Sequence, residues 1–304
     1  MTTLDELIEK SSMKDPPIVA VASAADREVL EAIEIAVQKG IAHFLLFAQE
    51  AELQQLITEK FPRLLNQHGV SFRNTTTVEE AAEHAVKAVS TGEAHVLMKG
   101  NLPTAVILKA VLNKQYGLRT NSILSHVAAF EVQGYDKLLF VTDAAMNIAP
   151  DLEAKAQIIQ NAVSVAKACG VEMPIVAPLC AVETVNPAMQ PTIDAAALVA
   201  MNNRGQIKDC IVDGPLALDN AISLEAAEQK GIRNGTAGKA DILAVPNIEA
   251  GNILYKSLMY FAGAKVGAVI AGAKAPIVLT SRADSAESKL YSLAVAIQTA
   301  SLSK

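Results

Sequence analysis

A doubly covered α/β architecture is predicted for this chain on three observations. Short β-rich runs alternate with longer helical runs from residue 17 onward. The strand-like runs are continuously apolar, as strands buried on both faces of a parallel sheet must be. Ala, Val, Ile and Leu carry the 51% hydrophobic content, aromatics make up 4%, and Trp is absent, which suits helices packed closely on a sheet.

The first half sets the rhythm. "PIVAVAS" (17–23) reads as a strand, and "DREVLEAIEIAVQKG" (26–40) as a helix with Val29, Ile33, Ala36 and Val37 on one face and a Gly stop. "AHFLLFA" (42–48) is a strand, "AELQQLITEKF" (51–61) a helix, "TVEEAAEHAVKAVSTG" (77–92) a helix, and "AHVLMKG" (94–100) a strand. "LPTAVILKAVLNK" (102–114) is a helix that tolerates Pro103 in its first turn.

The second half repeats the pattern. "KLLFVTDA" (137–144) precedes "DLEAKAQIIQNAVSVAKACG" (151–170), with Asp151 as N-cap and Gly170 as stop. Then come the strand "MPIVAPLCA", the helix "TIDAAALVAMNNRG", the strand "DCIVDGP", the helix "NAISLEAAEQKG" and the strand "DILAVPN". The helix "EAGNILYKSLMYFAG", the strands "VGAVIAG" and "APIVLTS", and the helix "SAESKLYSLAVAIQTAS" complete the order. With 304 residues there is room for one large or two ordinary domains.

Composition narrows the function classes. A net charge of −6 argues against nucleic acid as the main partner, although a local basic site for a small anionic substrate is compatible with it. The opening "MTTLDELIEK" is acidic and lacks the apolar run of a secretory signal. No stretch approaches about eighteen uninterrupted apolar residues, so no membrane span is expected. Cys169, Cys180 and Cys210 are odd in number and without CxxC spacing, which reads as reduced thiols in a cytoplasmic protein.

In folds of this class ligands gather at strand C-termini, where helix N-termini also point. The strand exits read "MKGN" (98–101), "TDAAMN" (142–147), "VDGPLALDN" (212–220), "VPNIEAGN" (245–252) and "TSRADS" (280–285). Phosphate and metal signatures fail. "GTAGKA" (235–240) is too short between its glycines for a P-loop and has Ala240 where Ser or Thr would hold Mg²⁺. No GxGxxG follows a strand, the five His are scattered, and His126 reads as a structural imidazole. Ser281 lacks a GxSxG elbow, so its other role is a hydroxyl at a strand end. Asp284 or Ser285 can cap the last helix. Arg282, at a strand tip beside a helix start, is suited to hold a phosphate.

With those residues in view, "GNILYKSLMYFAGAKVGAVIAGAKAPIVLTSRADS" (251–285) resembles the phosphate acetyl/butyryltransferase family, its butyryl arm most closely. "KGNLPTAVILKAVL" (99–112), "FVTDAAMNIAPDLEAKAQIIQNAV" (140–163), "VDGPLALDNAIS" (212–223) and "ADILAVPNIEAGNILYK" (240–256) are similar to the same family in the same order. The resemblance implies transfer of a short acyl group, butyryl first, between coenzyme A and inorganic phosphate. Coenzyme A is then a substrate, and no metal or redox cofactor is implied. The implied fold is that of isocitrate and isopropylmalate dehydrogenases, two three-layer αβα domains with a cleft between them. The domains would be 1–122 plus 274–304, closed by the C-terminal helix, and 123–273. The family also implies a homodimer assembled through the second domain.

The family's Ser-Arg pair falls on Ser281 and Arg282. Its acetyl arm carries a carboxylate base for the CoA thiol seven residues after the Ser, where this chain has Ser288. The base role therefore falls to Asp284, to Glu287, or to neither. Lys109 stands where the acetyl arm has an Arg, and Ala144 where it has a Cys. Lys99, Asn101, Lys109, Asp143, Asn147 and Asn252 are assigned to substrate binding. The alternatives are a phosphate acetyltransferase, a metal- and NAD-dependent dehydrogenase on the same fold, and a non-catalytic CoA-binding regulator.

Overall fold

The computed structural model describes residues 3–12, 15–65, 67–232, 235–280 and 284–302. The chain divides into two compact units, Leu4–Ser122 with Gly267 onward, and Ile123–Val266.

The first unit opens with α1 (Leu4–Ser11), β1 (Ile18–Ala22), α2 (Arg27–Gln38), β2 (His43–Ala48) and α3 (Glu50–Lys60). β3 (Val70–Asn74), α4 (Val78–Ser90), β4 (Val96–Lys99) and α5 (Thr104–Val111) follow. Local chemistry sets several of these boundaries. Asp26 accepts the Val29 N–H and starts α2, and Thr77 accepts the Glu80 N–H and starts α4. α1 and β3 were not expected. α1 precedes the first apolar strand, and β3 has four exposed residues, so neither carries an apolar run.

The second unit holds β5 (Ser125–Glu131), β6 (Leu139–Thr142), α6 (Leu152–Ala168), β7 (Ile175–Pro178) and α7 (Gln190–Asn203). β8 (Ile211–Val212), α8 (Leu218–Ile222), α9 (Leu224–Gln229), β9 (Ile242–Ala244) and α10 (Ile248–Tyr260) follow. Asp151 caps α6 as expected, accepting the Ala154 N–H. The single helix expected over 220–231 is two. Ser223 leaves the helical region at φ −120° and ψ 117° and caps α9 by accepting the Ala226 N–H. The sheet order here is β5-β6-β9-β7-β8.

The chain crosses back within β10 (Lys265–Ala271), at Val266/Gly267, where the sequence reading placed the crossing at 273/274. β11 (Ile277–Val278) and α11 (Ala286–Leu302) complete the first unit. The Ala268 N–H donates to Ser292 Oγ at 2.9 Å, which ties β10 to α11. The first unit's sheet runs β3-β2-β1-β4-β11-β10, with α11 buried along most of its length.

The expected all-parallel sheet is corrected to a mixed one. β5 pairs antiparallel with β6, and β10 with β11. Their connections, residues 132–138 and 272–276, are too short for the crossover of about a dozen residues that parallel pairing requires. β1, β2, β3, β4 and β11 are otherwise parallel, as are β6, β7, β8 and β9.

Candidate active site

Within the first unit, β1, β4 and β11 run parallel in register, so their C-terminal exits lie along one sheet edge. Lys99 ends β4. Its side chain is only 6% exposed, and Nζ donates to the Gly100 carbonyl at 3.2 Å. A buried cation at a strand exit is costly unless the surrounding groups compensate it. The next two residues lock onto the β1 exit. The Gly100 N–H donates to the Ala22 carbonyl at 2.8 Å and the Asn101 N–H to the Ser23 carbonyl at 2.7 Å. Ser23 Oγ donates to the Asn101 carbonyl at 2.9 Å. A Cβ at Gly100 would stand 2.1 Å from the Ser23 carbonyl oxygen, so only glycine permits this approach. The Asn101 side chain is exposed, and Lys109 is exposed in the last turn of α5.

Ser281 and Arg282 lie outside the described residues. On either side of them the geometry is defined. Thr280 is buried, and its hydroxyl has no hydrogen-bond partner among the described residues. Sequence reading missed it, because a Thr at the end of an apolar run looks like one more strand residue. Beyond the gap, Ser285 rather than Asp284 caps α11, with its Oγ accepting the Ser288 N–H at 3.1 Å. The half-buried Asp284 takes the Lys289 ammonium on its backbone carbonyl. Glu287 sits in the first turn of α11 and is exposed. The Tyr291 hydroxyl lies 3.2 Å from Glu287 Oε1 and 3.0 Å from Asp5 Oδ1, so Glu287 faces the contact with α1.

The second unit holds Asp143, Asn147 and Asn252. Asp143 is 3% exposed, and the loop fills its acceptor positions. The Ala145 and Met146 N–H groups donate to Oδ1 at 2.9 and 3.0 Å. The Asn147 N–H and side-chain amide donate to Oδ2 at 3.2 and 2.6 Å. The same amide reaches the Leu124 carbonyl at 2.9 Å. Asp143 and Asn147 are thus brought together as the frame of the loop leaving β6. α10 packs on that loop at Gly251, where a Cβ would lie 2.7 Å from the Asp143 carbonyl oxygen. Asn252, the next residue, is exposed. His126 packs edge-on to Tyr255 at 5.7 Å, an aromatic contact within the unit.

The three cysteines are free, and burial pushes the thiols of Cys180 and Cys210 up to about 11. Neither is a thiolate nucleophile at neutral pH. Among the described residues no cluster of three or more His, Cys, Asp or Glu side chains could hold a metal ion. No described helix is long and apolar enough to cross a membrane.

Comparison with known proteins places these features. The family model described as "Phosphate acetyl/butaryl transferase" matches residues 54–297. A probable phosphate butyryltransferase of Bacillus subtilis (strain 168) is 58% identical over 294 residues, 97% of each chain. A phosphate acetyltransferase of Thermotoga maritima is 46% identical, covering 96% of this chain and 98% of that one. The crystal structure of a branched-chain phosphotransacylase from Enterococcus faecalis V583 superposes with a TM-score of 0.83 at 37% identity, covering 93% of this chain and 99% of that one.

Proposed function

The chain belongs to the phosphate acetyl/butyryltransferase family, and from that premise we propose that it moves a short acyl group, butyryl first, between coenzyme A and inorganic phosphate. The observation that carries this reading is the 58% identity, over 97% of both chains, to a relative named for that reaction. The likeness to a branched-chain phosphotransacylase supports an acyl group larger than acetyl. The dehydrogenase alternative has no comparable support.

In the proposed reaction butyryl-CoA and phosphate exchange partners. A phosphate oxygen attacks the thioester carbonyl, the C–S bond breaks, and the CoA thiolate leaves and takes up a proton. In reverse the thiol loses its proton and its sulfur attacks the acyl phosphate. A thiol of pKa about 8.5 is only a few per cent ionised at pH 7, so a carboxylate at this point accelerates the reaction. We assign that role to Asp284. Two observations support it: Ser285 takes the cap of α11, and Glu287 is engaged with Tyr291 beside α1. Arg282 clamps the phosphate with its planar fork, and Ser281 donates to the developing oxyanion. Lys99, buried at the exit of β4, adds a basic group to the proposed site. Asn101, Lys109 and Asn252 present exposed polar groups to substrate, while Asp143 and Asn147 shape the loop beside α10.

The proposal includes a cytoplasmic homodimer with no metal or redox cofactor. Ile253, Tyr260 and Phe261 on and just past α10 are 67%, 76% and 92% exposed. Their spacing of seven and eight residues puts them on one helix face, and so large an apolar face suits a second copy. The deciding experiment is colorimetric thiol release from butyryl-CoA, dependent on phosphate and run without added metal or NAD. Absence of phosphate-dependent release would overturn the reading.

A further inference from the structure

The start of α11 runs against local electrostatics. Lys289 closes its first turn, where the partial positive charge of a helix N-terminus opposes a cation. The residue is also only 2% exposed, and a lysine is almost never buried so fully without a partner. Local rules give no reason for an ammonium at this position, so the reason lies in what it holds.

Helical side chains lean toward the N-terminus, and the Lys289 stem runs back over the cap of α11. Its Nζ donates to the Asp284 carbonyl, and its own N–H donates to the Ser285 carbonyl at 3.1 Å. Lys289 thus holds two consecutive residues. Ser285 is fixed further by its Oγ, which accepts the Ser288 N–H at 3.1 Å. The helix that carries Lys289 is itself pinned on two sides. The Tyr291 hydroxyl lies 3.0 Å from Asp5 Oδ1 of α1, and Ser292 Oγ accepts the Ala268 N–H of β10 at 2.9 Å. β10 comes so near that a Cβ at Gly267 would stand 2.7 Å from the Tyr291 carbonyl oxygen. All of these groups belong to the unit that contains Asp284. With its backbone held from a rigid helix, Asp284 has only its side-chain torsions left to set where the carboxylate lies.

We propose that Lys289 is the positioning residue for Asp284: its buried ammonium fixes the Asp284 backbone, so that the carboxylate meets the CoA thiol in one orientation. The inference rests on the transferase reading and on the base role given to Asp284, and it deepens both by naming what holds the base. Lys289 itself touches no reacting atom.

The test follows consumption of CoA thiol by butyryl phosphate, the direction in which the base takes up the proton. Wild type, Lys289→Met, Asp284→Asn and the double variant are compared at pH 7 and near the thiol pKa of about 8.5. Met keeps an unbranched stem and drops the ammonium. Lys289→Met should lower kcat about tenfold at pH 7, within the roughly hundredfold that the base supplies, and leave KM for both substrates within about twofold of wild type. The loss should shrink near the thiol pKa, which a merely structural lysine would not produce. The double variant should be no slower than Asp284→Asn, because nothing is left to position. Circular dichroism checks folding. If Lys289→Met does not fold, Lys289→Gln, one bond too short to reach the carbonyl, takes its place in the same cycle. A lysine variant with wild-type kcat overturns the proposal, as does a loss that is the same at both pH values. A double variant slower than Asp284→Asn by the full factor of the lysine change also overturns it, since the two residues then act independently. These results sink the positioning role alone. Normal turnover by Asp284→Asn removes the base and the proposal with it, and a wild type that consumes no thiol ends the transferase reading itself.

Discussion

Gly100→Ala is the most informative single change to the β4 exit. The added methyl would stand 2.1 Å from the Ser23 carbonyl oxygen and 2.8 Å from that of Ala22. A relaxed carbon–oxygen contact is about 3.3 Å or more, so the nearer overlap exceeds 1 Å. Both obstacles are backbone atoms of the neighbouring strand exit and cannot rotate away. Overpacking of this kind costs about 1–3 kcal/mol. The displacement also loosens two backbone hydrogen bonds, Gly100 to Ala22 at 2.8 Å and Asn101 to Ser23 at 2.7 Å. Each is worth about 1 kcal/mol net, which brings the expected loss to about 3–5 kcal/mol. At about 2–4 °C per kcal/mol for a domain of this size, the melting temperature should fall by roughly 6–20 °C. Lys99 and Asn101 flank the substituted residue, and a shift of about 1 Å there should cost about 10² in kcat/KM. Melting is followed by circular dichroism and turnover by thiol release from butyryl-CoA. Gly92→Ala is the control, because Gly92 has φ +82° but an added methyl there would meet nothing within 4 Å. It should cost about 1 kcal/mol of left-handed strain and no activity. A Gly100→Ala protein that melts within about 2 °C of wild type and turns over normally would refute the close approach of the two exits.

Arg282→Lys should raise KM for phosphate more than KM for acyl-CoA, since Lys keeps the charge and loses the planar fork; initial rates across a phosphate series would show it, and an unchanged phosphate dependence removes Arg282 from the site. Asp284→Asn should lower turnover about 10²-fold at pH 7 and recover as the pH approaches the thiol pKa, whereas Glu287→Gln should mainly lower thermal stability through its Tyr291 contact; equal kinetic losses in the two would argue against the assignment. Phe261→Glu should yield a smaller particle by light scattering at micromolar concentration, and an unchanged mass would move the interface off α10. The Cys180 and Cys210 thiols titrate from 9.0 in the unfolded chain but near 11 when folded, so the folded state binds more protons in that window. Stability should therefore fall as pH rises from about 9 to 11, and less steeply in Cys180→Ala; identical urea midpoints for both proteins at each pH would contradict it.

Most of the fold was legible because apolar periodicity is a local signal. Residues 26–40 showed an apolar face and a Gly stop, and 151–170 a cap and a stop; Asp151 caps α6 as the sequence suggested. The misses have separate causes. β3 is mostly exposed, so it carries no apolar run, whereas β5 is buried and was passed over between the helix ending at 114 and the strand beginning at 137. The antiparallel pairings of β5 with β6 and β10 with β11 depend on connection length and register, which only the assembled sheet reveals. The break at Ser223 is decided by one residue's choice between continuing a helix and capping the next.

For the site, the sequence by itself determined the chemistry on offer. The strand-exit motifs carry the family resemblance, and the expectation for Ser281 and Arg282 follows from them, whereas Ser288 at the family's base position left the base open. Which carboxylate is engaged elsewhere was a tertiary decision. Ser285 caps α11, and Glu287 meets Tyr291, whose hydroxyl also approaches Asp5 nearly the whole length of the chain away. Asp143 and Asn147 were expected at the substrate from sequence. That they also bind each other within their loop was decided by folding, because a buried carboxylate must find donors and the nearest were its neighbours' N–H groups. A pocket of about 370 Å³ at the exits of β7 and β9 is the clearest case. Its wall joins residues from 179 to 254 across separate motifs, because a cavity exists only where separate strand ends and helix starts fail to fill the space between them.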